Sequence, residues 1–159
     1  MLIAGVDTGL RRCGVALFED GTLIWAQLVE ADGAGDDVFA MAHAVAGALP
    51  KRPGQVFVEV PQQYPSSPVP RKSLEQLTLV AGAITHALSA SDVSRIYPRQ
   101  WKGQVPKPVM LRRIQSHLTD PEKTLVEDLS LPTSTAHNVW DAVGICLWAA
   151  GRIGVRVGR

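Results

Sequence analysis

The chain opens with three short β-type runs separated by connections too short for anything but hairpins. Leu2–Val6, Gly14–Phe18 and Thr22–Val29 are apolar and rich in β-formers. Asp7-Thr8-Gly9-Leu10-Arg11-Arg12 lies between the first two, and Glu19-Asp20-Gly21 between the second and third. Short Gly-containing turns join antiparallel neighbours, whereas a parallel pair needs a crossover of a dozen or more residues. An antiparallel three-stranded meander follows, and its apolar residues need a second layer to cover them.

The rest of the chain supplies that layer. Asp36–Leu49 reads as a helix capped by Asp36 or Asp37, with apolar residues at Val38, Met41, Ala42, Val45 and Leu49 and Pro50 as its stop. Gln55–Val60 is a β-type run. Pro61–Pro70, with four prolines, reads as an extended loop. Ser73–Leu88 is a helix capped by Ser73, and Asp92–Tyr97 a short strand. Pro106–Leu118, Pro121–Leu129 and Ala136–Ala150 are helices. An antiparallel opening followed by alternating strands and helices implies an α/β fold with a mixed five-stranded sheet and helices on its faces. At 159 residues and 46% hydrophobic, residues 1–159 are expected to form one domain with its own core. Two cysteines, Cys13 and Cys146, exclude a disulfide scaffold or a Cys-rich zinc module, and both read as buried small hydrophobes. With no basic flank before its first apolar run and no long apolar stretch, the chain is expected to be soluble and cytoplasmic, away from membranes.

Three acids stand where acids are costly. Asp7 follows Ile-Ala-Gly-Val, Glu59 interrupts Val-Phe-Val-Glu-Val, and Asp141 is the only charged residue between His137 and Arg152. An ionised carboxylate in an apolar setting costs several kcal/mol or more unless it is protonated, paired or bound to a cation. Each one singly reads as a satisfied core acid or one on an exposed edge. Three in three elements of a short chain are expected to converge, and a hard-oxygen set without cysteines points to Mg²⁺ or Mn²⁺.

Gly5-Val6-Asp7-Thr8-Gly9-Leu10-Arg11-Arg12-Cys13-Gly14-Val15-Ala16 resembles the opening hairpin of the RuvC family of Holliday junction resolvases, whose fold is RNase H-like. Val56-Phe57-Val58-Glu59 is similar to that family's second motif, and Asp141-Ala142-Val143-Gly144-Ile145 to its last. The element order matches over nearly the whole chain, and the Pro-rich insert with Trp101-Lys102-Gly103 looks like the compact phage-type members. The resemblance implies a metal-dependent endonuclease that resolves Holliday junctions or other branched DNA as a homodimer. It implies two Mg²⁺ or Mn²⁺ ions per site, bridged by Asp7 and held one each by Glu59 and Asp141. For a phage-encoded protein the compartment would be the host bacterial cytoplasm.

The family usually places a fourth ligand, Asp or His, three residues before the final Asp. Here Asn138 stands there, after His137. On a helix both positions share a side with Asp141, so His137 is expected as a ligand or proton carrier, or Asn138 as a carbonyl ligand. Ser134-Thr135-Ala136-His137-Asn138 also reads as ordinary helix-start chemistry, with Asn138 or Thr135 capping.

The net charge of +1 excludes a histone-like or polyacidic protein but hides two opposed regions. Val93–Arg113 holds six basic residues and no acid (Arg95, Arg99, Lys102, Lys107, Arg112 and Arg113), while Glu19–Asp37 holds six acids and no base. The basic stretch, with Tyr97 and Trp101, suits phosphate contact and base stacking, against the blander reading of a solvated helix face with Trp101 in the core. Arg11 and Arg12 beside Asp7, and Arg71 and Lys72 closing the Pro-rich loop, are expected to border a phosphate, and Tyr64 to act as a wedge in a junction. The helix from Leu74 to Leu88, with Gly82 and its alanines, is the expected dimer face. His43, His86 and His117 read as structural.

Three rivals remain. Asp7-Thr8-Gly9 spells the active-site triplet of aspartic proteases, which need a second copy and an all-β fold. Half of a sugar-kinase or actin-like ATPase shares this hairpin, but such enzymes need two lobes. A branched-DNA binding protein with weak or no cleavage would follow from the altered fourth ligand.

Overall fold

The computed structural model describes residues 1–32, 37–62 and 70–154. Its strands are β1 (Leu2–Asp7), β2 (Arg12–Glu19), β3 (Thr22–Glu30), β4 (Gln55–Glu59) and β5 (Asp92–Ile96). They form one sheet in the order β3-β2-β1-β4-β5. The β1–β2 and β2–β3 pairs are antiparallel, as the short turns demand, and the β1–β4 and β4–β5 pairs are parallel. Gly9 is required in the first turn, because a Cβ there would lie 2.0 Å from the Arg12 carbonyl oxygen.

Helices cover both faces, and strand alternation decides which residues go where. Ala4, Val6, Val15, Leu17, Val56 and Val58 face α1 (Val38–Ala48) and α2 (Arg71–Leu88). Ile3, Ala16 and Phe18 face the other side, packed with α4 (Lys107–Ser116), α5 (Asp120–Glu127) and α6 (Thr133–Ala149). A four-residue helix, α3 (Pro98–Trp101), links β5 to that layer.

Several helix starts differ from expectation. Helix α2 begins at Arg71 with Pro70 as its N-cap, so Ser73 is inside the helix and does not cap it. Helix α6 begins at Thr133 after Pro132, which puts Thr135 and Asn138 within the helix and removes their capping role. In both, proline's fixed φ ends the preceding loop and starts the helix earlier than side-chain capping suggests. Asp37 does cap α1, accepting from the Phe39 amide at 2.9 Å.

The apolar stripe on α2 is used internally. Val80, Ala81, Ile84 and Leu88 are buried in the core shared with α1 and the sheet. Gly82 lies on the opposite, exposed side, with nothing near the position a Cβ would take. Both cysteines are buried and free. No helix among the described residues is long and apolar enough to cross a membrane.

Candidate active site

Strands β1 and β4 are parallel, so their C-terminal ends lie at the same edge of the sheet, where ligands of open α/β sheets bind. Asp7 is the last residue of β1 and Glu59 the last of β4. In the register, Gly5 pairs with Phe57 and Val6 with Val58, which carries Asp7 and Glu59 to one edge. Alternation aims them at the face that α6 covers.

Close approach of α6 brings in the third acid. A Cβ on Gly5 would lie 2.6 Å from the Ala142 carbonyl oxygen, and one on Gly14 1.8 Å from that of Asn138. Gly14 pairs with Asp7 across the hairpin. These two glycines let the α6 backbone lie directly on β1 and β2, and the turn that touches them carries Asp141. On the other side of α6, a Cβ on Gly144 would come within 2.5 Å of the Trp101 ring, so Gly144 seats Trp101.

Trp101 and Lys102 complete the cluster. The Trp101 Nε1–H donates to Glu59 Oε2 at 2.5 Å. The Lys102 ammonium lies 3.4 Å from Glu59 Oε2 and 3.1 Å from Asp141 Oδ2, and 4.8 Å from the centre of the Trp101 ring. Both carboxylates are largely shielded, with 12% and 21% of their side chains exposed, so this pair is less screened than a surface one.

The electrostatics agree with a crowded anionic site. Burial pushes Asp7 well above the usual carboxylate range, and the charges of Glu59 and Asp141 raise it further against the pull of Lys102 and Lys107. Glu59 is raised by burial and by Asp141, opposed by Lys102 and the Trp101 hydrogen bond. Burial disfavours the Lys102 ammonium, but the three carboxylates outweigh it and hold its pKa above the ordinary lysine value. Thr8 Oγ1, next to Asp7, is buried with no hydrogen-bond partner among the described residues.

Three carboxylates around one edge are hard oxygen donors of the type that Mg²⁺ or Mn²⁺ takes, and an orphaned hydroxyl beside them suits a liganded site. In donor type alone, Asp7, Glu59 and Asp141 suit a divalent cation. Among the described residues no three His, Cys, Asp or Glu side chains stand in a ready-made metal-binding arrangement; the cation between Glu59 and Asp141 is Lys102.

The other expected residues divide. His137 is exposed and shares a pocket with Lys107 and Asp141. Asn138 meets the sheet through its backbone at Gly14. Trp101 is 0% exposed, which leaves no ring face for stacking on DNA and corrects that expectation. The aromatic of that stretch that reaches solvent is Tyr97, 47% exposed. Arg11, Lys72, Arg99, Lys107 and Arg112 are exposed. Arg12 pairs with Glu30 at 2.5 Å across β2 and β3, Arg71 pairs with Glu75 at 3.0 Å, and Arg113 donates to the Gly154 carbonyl. Tyr64 lies outside the described residues.

One buried acid escaped the sequence reading. Glu122, 2% exposed, accepts from Arg152, from the Leu23 amide at 2.8 Å and from Thr119. Thr119-x-x-Glu122 is a capping box, a pattern visible in the sequence.

No family model matches the sequence, and no curated protein matches it. Solved structures do match its fold. The fowlpox virus Holliday junction resolvase is 18% identical with a TM-score of 0.59, over 96% of this chain and 100% of that one. Thermus thermophilus RuvC is 14% identical with a TM-score of 0.58, over 97% of this chain and 99% of that one. The same protein in complex with a Holliday junction substrate is 17% identical with a TM-score of 0.55, over 92% and 90%. The chain has the fold of the RuvC-type resolvases. That fold is RNase H-like, and the mixed sheet with helices on both faces is the one expected from the element order. The likeness to these structures extends over nearly all of the chain.

Proposed function

We propose that this chain is a metal-dependent, structure-selective endonuclease that resolves Holliday junctions or related branched DNA. The observation that carries the reading is the convergence of Asp7, Glu59 and Asp141 at the carboxyl edge of the sheet, close enough that two of them raise the third. The fold shared with resolvases supports it.

In this reading Asp7, Glu59 and Asp141 hold two Mg²⁺ or Mn²⁺ ions. When bound, the ions supply an activated water and charge stabilisation for the leaving 3′ oxygen, leaving 5′-phosphate and 3′-hydroxyl ends. Trp101 fixes the carboxylate of Glu59 through its indole N–H. Lys102 offsets the excess negative charge of the acids and is placed to neutralise a phosphate oxygen. His137, exposed one turn before Asp141, carries protons to or from solvent. Arg11, Lys72, Arg99, Lys107 and Arg112 contribute counter-charge along the DNA. A homodimer would deliver paired symmetric nicks. The exposed side of α2, with Leu79 61% exposed and Gly82 open, is the candidate two-fold surface.

The deciding experiment is a labelled four-way junction incubated with the protein in Mg²⁺, Mn²⁺ or EDTA, beside linear duplex. Symmetric nicks that need metal and vanish in Asp7→Asn are expected. A stable shift without product in any metal would instead favour a branched-DNA binding protein. That second reading draws on the Lys102 ion pairs to Glu59 and Asp141 and on Asn138 at the fourth-ligand position.

A further inference from the structure

Beside the carboxylates, between α4 and α6, lies a pocket of about 210 Å³ with mainly apolar walls. Helix α4 contributes Pro108, Leu111 and Ile114, and α6 contributes Trp140. Ile114 and Trp140 are buried, 1% and 8% exposed, and form the floor. Lys107 and His137 are exposed and mark the mouth. Asp141 lines this pocket and also pairs with Lys102 at 3.1 Å, so the slot opens directly from the carboxylate cluster. The charge of Lys107 is felt at Asp7.

We propose that this pocket receives the nucleobase adjoining the phosphodiester held at Asp7, Glu59 and Asp141, and thereby sets which positions of a junction are cut. The inference rests on the nuclease reading and names a base-binding subsite for it. Size is the first argument: drug-sized sites run to about 300–1,000 Å³, so this smaller slot suits a single flat ring. Wall chemistry is the second. An indole, a leucine and a proline offer little to water or an ion, but they pack well on the π-face of a base. Charge is the third. A base in the slot carries a phosphate on each side of its sugar, and Lys107 at the mouth matches the outer one while the carboxylate site takes the other. His137 offers ring nitrogens at the mouth to a base edge, which gives the pocket a means of telling bases apart.

The test uses the full chain and four-way junctions carrying 2-aminopurine at one nucleotide at a time around the crossover, bound in EDTA so that nothing is cut. The fluorescence of one position should fall severalfold as the base enters the slot beside Trp140. Leu111→Phe, which fills the slot, should abolish that change while junction affinity is kept. A measurement on the unaltered protein stands beside it, in case the variant fails to fold. Removing the base at the same position should slow cutting there by about fivefold or more in Mg²⁺. If no position responds to either probe, or if Leu111→Phe folds and responds as the unaltered protein does, the pocket does not bind a base. Nicking without any such response would sink this inference and leave the nuclease standing. A fluorescence response without nicking in any metal would overturn the nuclease reading and, with it, the pocket's part in choosing the cut, and a chain that bound no DNA would remove both.

Discussion

The indole N–H of Trp101 donates to Glu59 Oε2 at 2.5 Å and so ties the short helix after β5 to the end of β4. The ring is fully buried and seated on Gly144, so packing fixes the donor. Trp101→Phe keeps most of the apolar volume and removes only the donor. A hydrogen bond to a charged group is worth about 1.5–3 kcal/mol, and a loss of that size is expected in urea unfolding. Junction cleavage should fall while junction binding is retained, because Glu59 loses its orientation and the exposed cations do not.

Asp7 shows the opposite sign. Burial and the charges of Glu59 and Asp141 raise its pKa, so the folded state favours the protonated acid and ionisation at neutral pH works against folding. The opposition sets in as pH rises above the unfolded carboxylate range and is absent below it. Asp7→Asn is therefore expected to be more stable than the unaltered protein in EDTA at pH 7, and inactive on junctions. Denaturant midpoints at pH 7 and pH 4 check it, with the gain present at the higher pH and reduced at the lower.

Lys102 is the cation that keeps Glu59 and Asp141 compatible. Lys102→Met leaves three acids without it, and a lower melting temperature in EDTA follows. Added Mn²⁺ should raise the melting temperature of this variant by more than that of the unaltered protein, since a divalent ion replaces the missing charge. Equal metal-induced shifts would show that Lys102 and the ion do not share a site.

Two glycines predict contrasting outcomes. Gly14→Ala puts a Cβ 1.8 Å from the Asn138 carbonyl oxygen and forces α6 off the sheet. Destabilisation of roughly 1–3 kcal/mol or more is expected, with loss of cleavage because Asp141 moves with the helix. Gly82→Ala meets nothing within 4 Å in the middle of an exposed helix face. It should stabilise the monomer by about 0.5–1 kcal/mol. Thermal melts of the two variants side by side are sufficient.

Acid sensitivity should trace to Glu122. Burial pushes this acid up, but the Arg152 guanidinium, the Leu23 amide and Thr119 outweigh it and hold it at about 2, below its ordinary 4.5. A lowered folded pKa contributes stability that is complete above the unfolded value and is lost as pH falls through the folded one. That window runs from about 5 down to about 2, and the contribution is on the order of 3 kcal/mol. Glu122→Gln should lose a similar amount at pH 7 and show a flatter pH–stability curve across that window.

Much of the architecture was legible in the sequence, because strand and helix signals are local: alternation along β1 to β4, periodicity along α2 and α6, and turns too short for a crossover. Asp7, Glu59 and Asp141 were legible for a related reason, since an acid within an apolar run needs a partner whatever the fold. Trp101 was read as a DNA-stacking residue because its neighbours are basic, yet its own environment is set by Gly144, far along the chain. Lys102 between two acids, the contacts of α6 at Gly5 and Gly14, and the Arg152 clamp on Glu122 likewise join residues distant in sequence. Pattern and composition determine what each segment becomes and which groups cannot stay unpaired. Which partner each group finds depends on how closely two backbones approach, and that distance exists only once the sheet and its helices have packed.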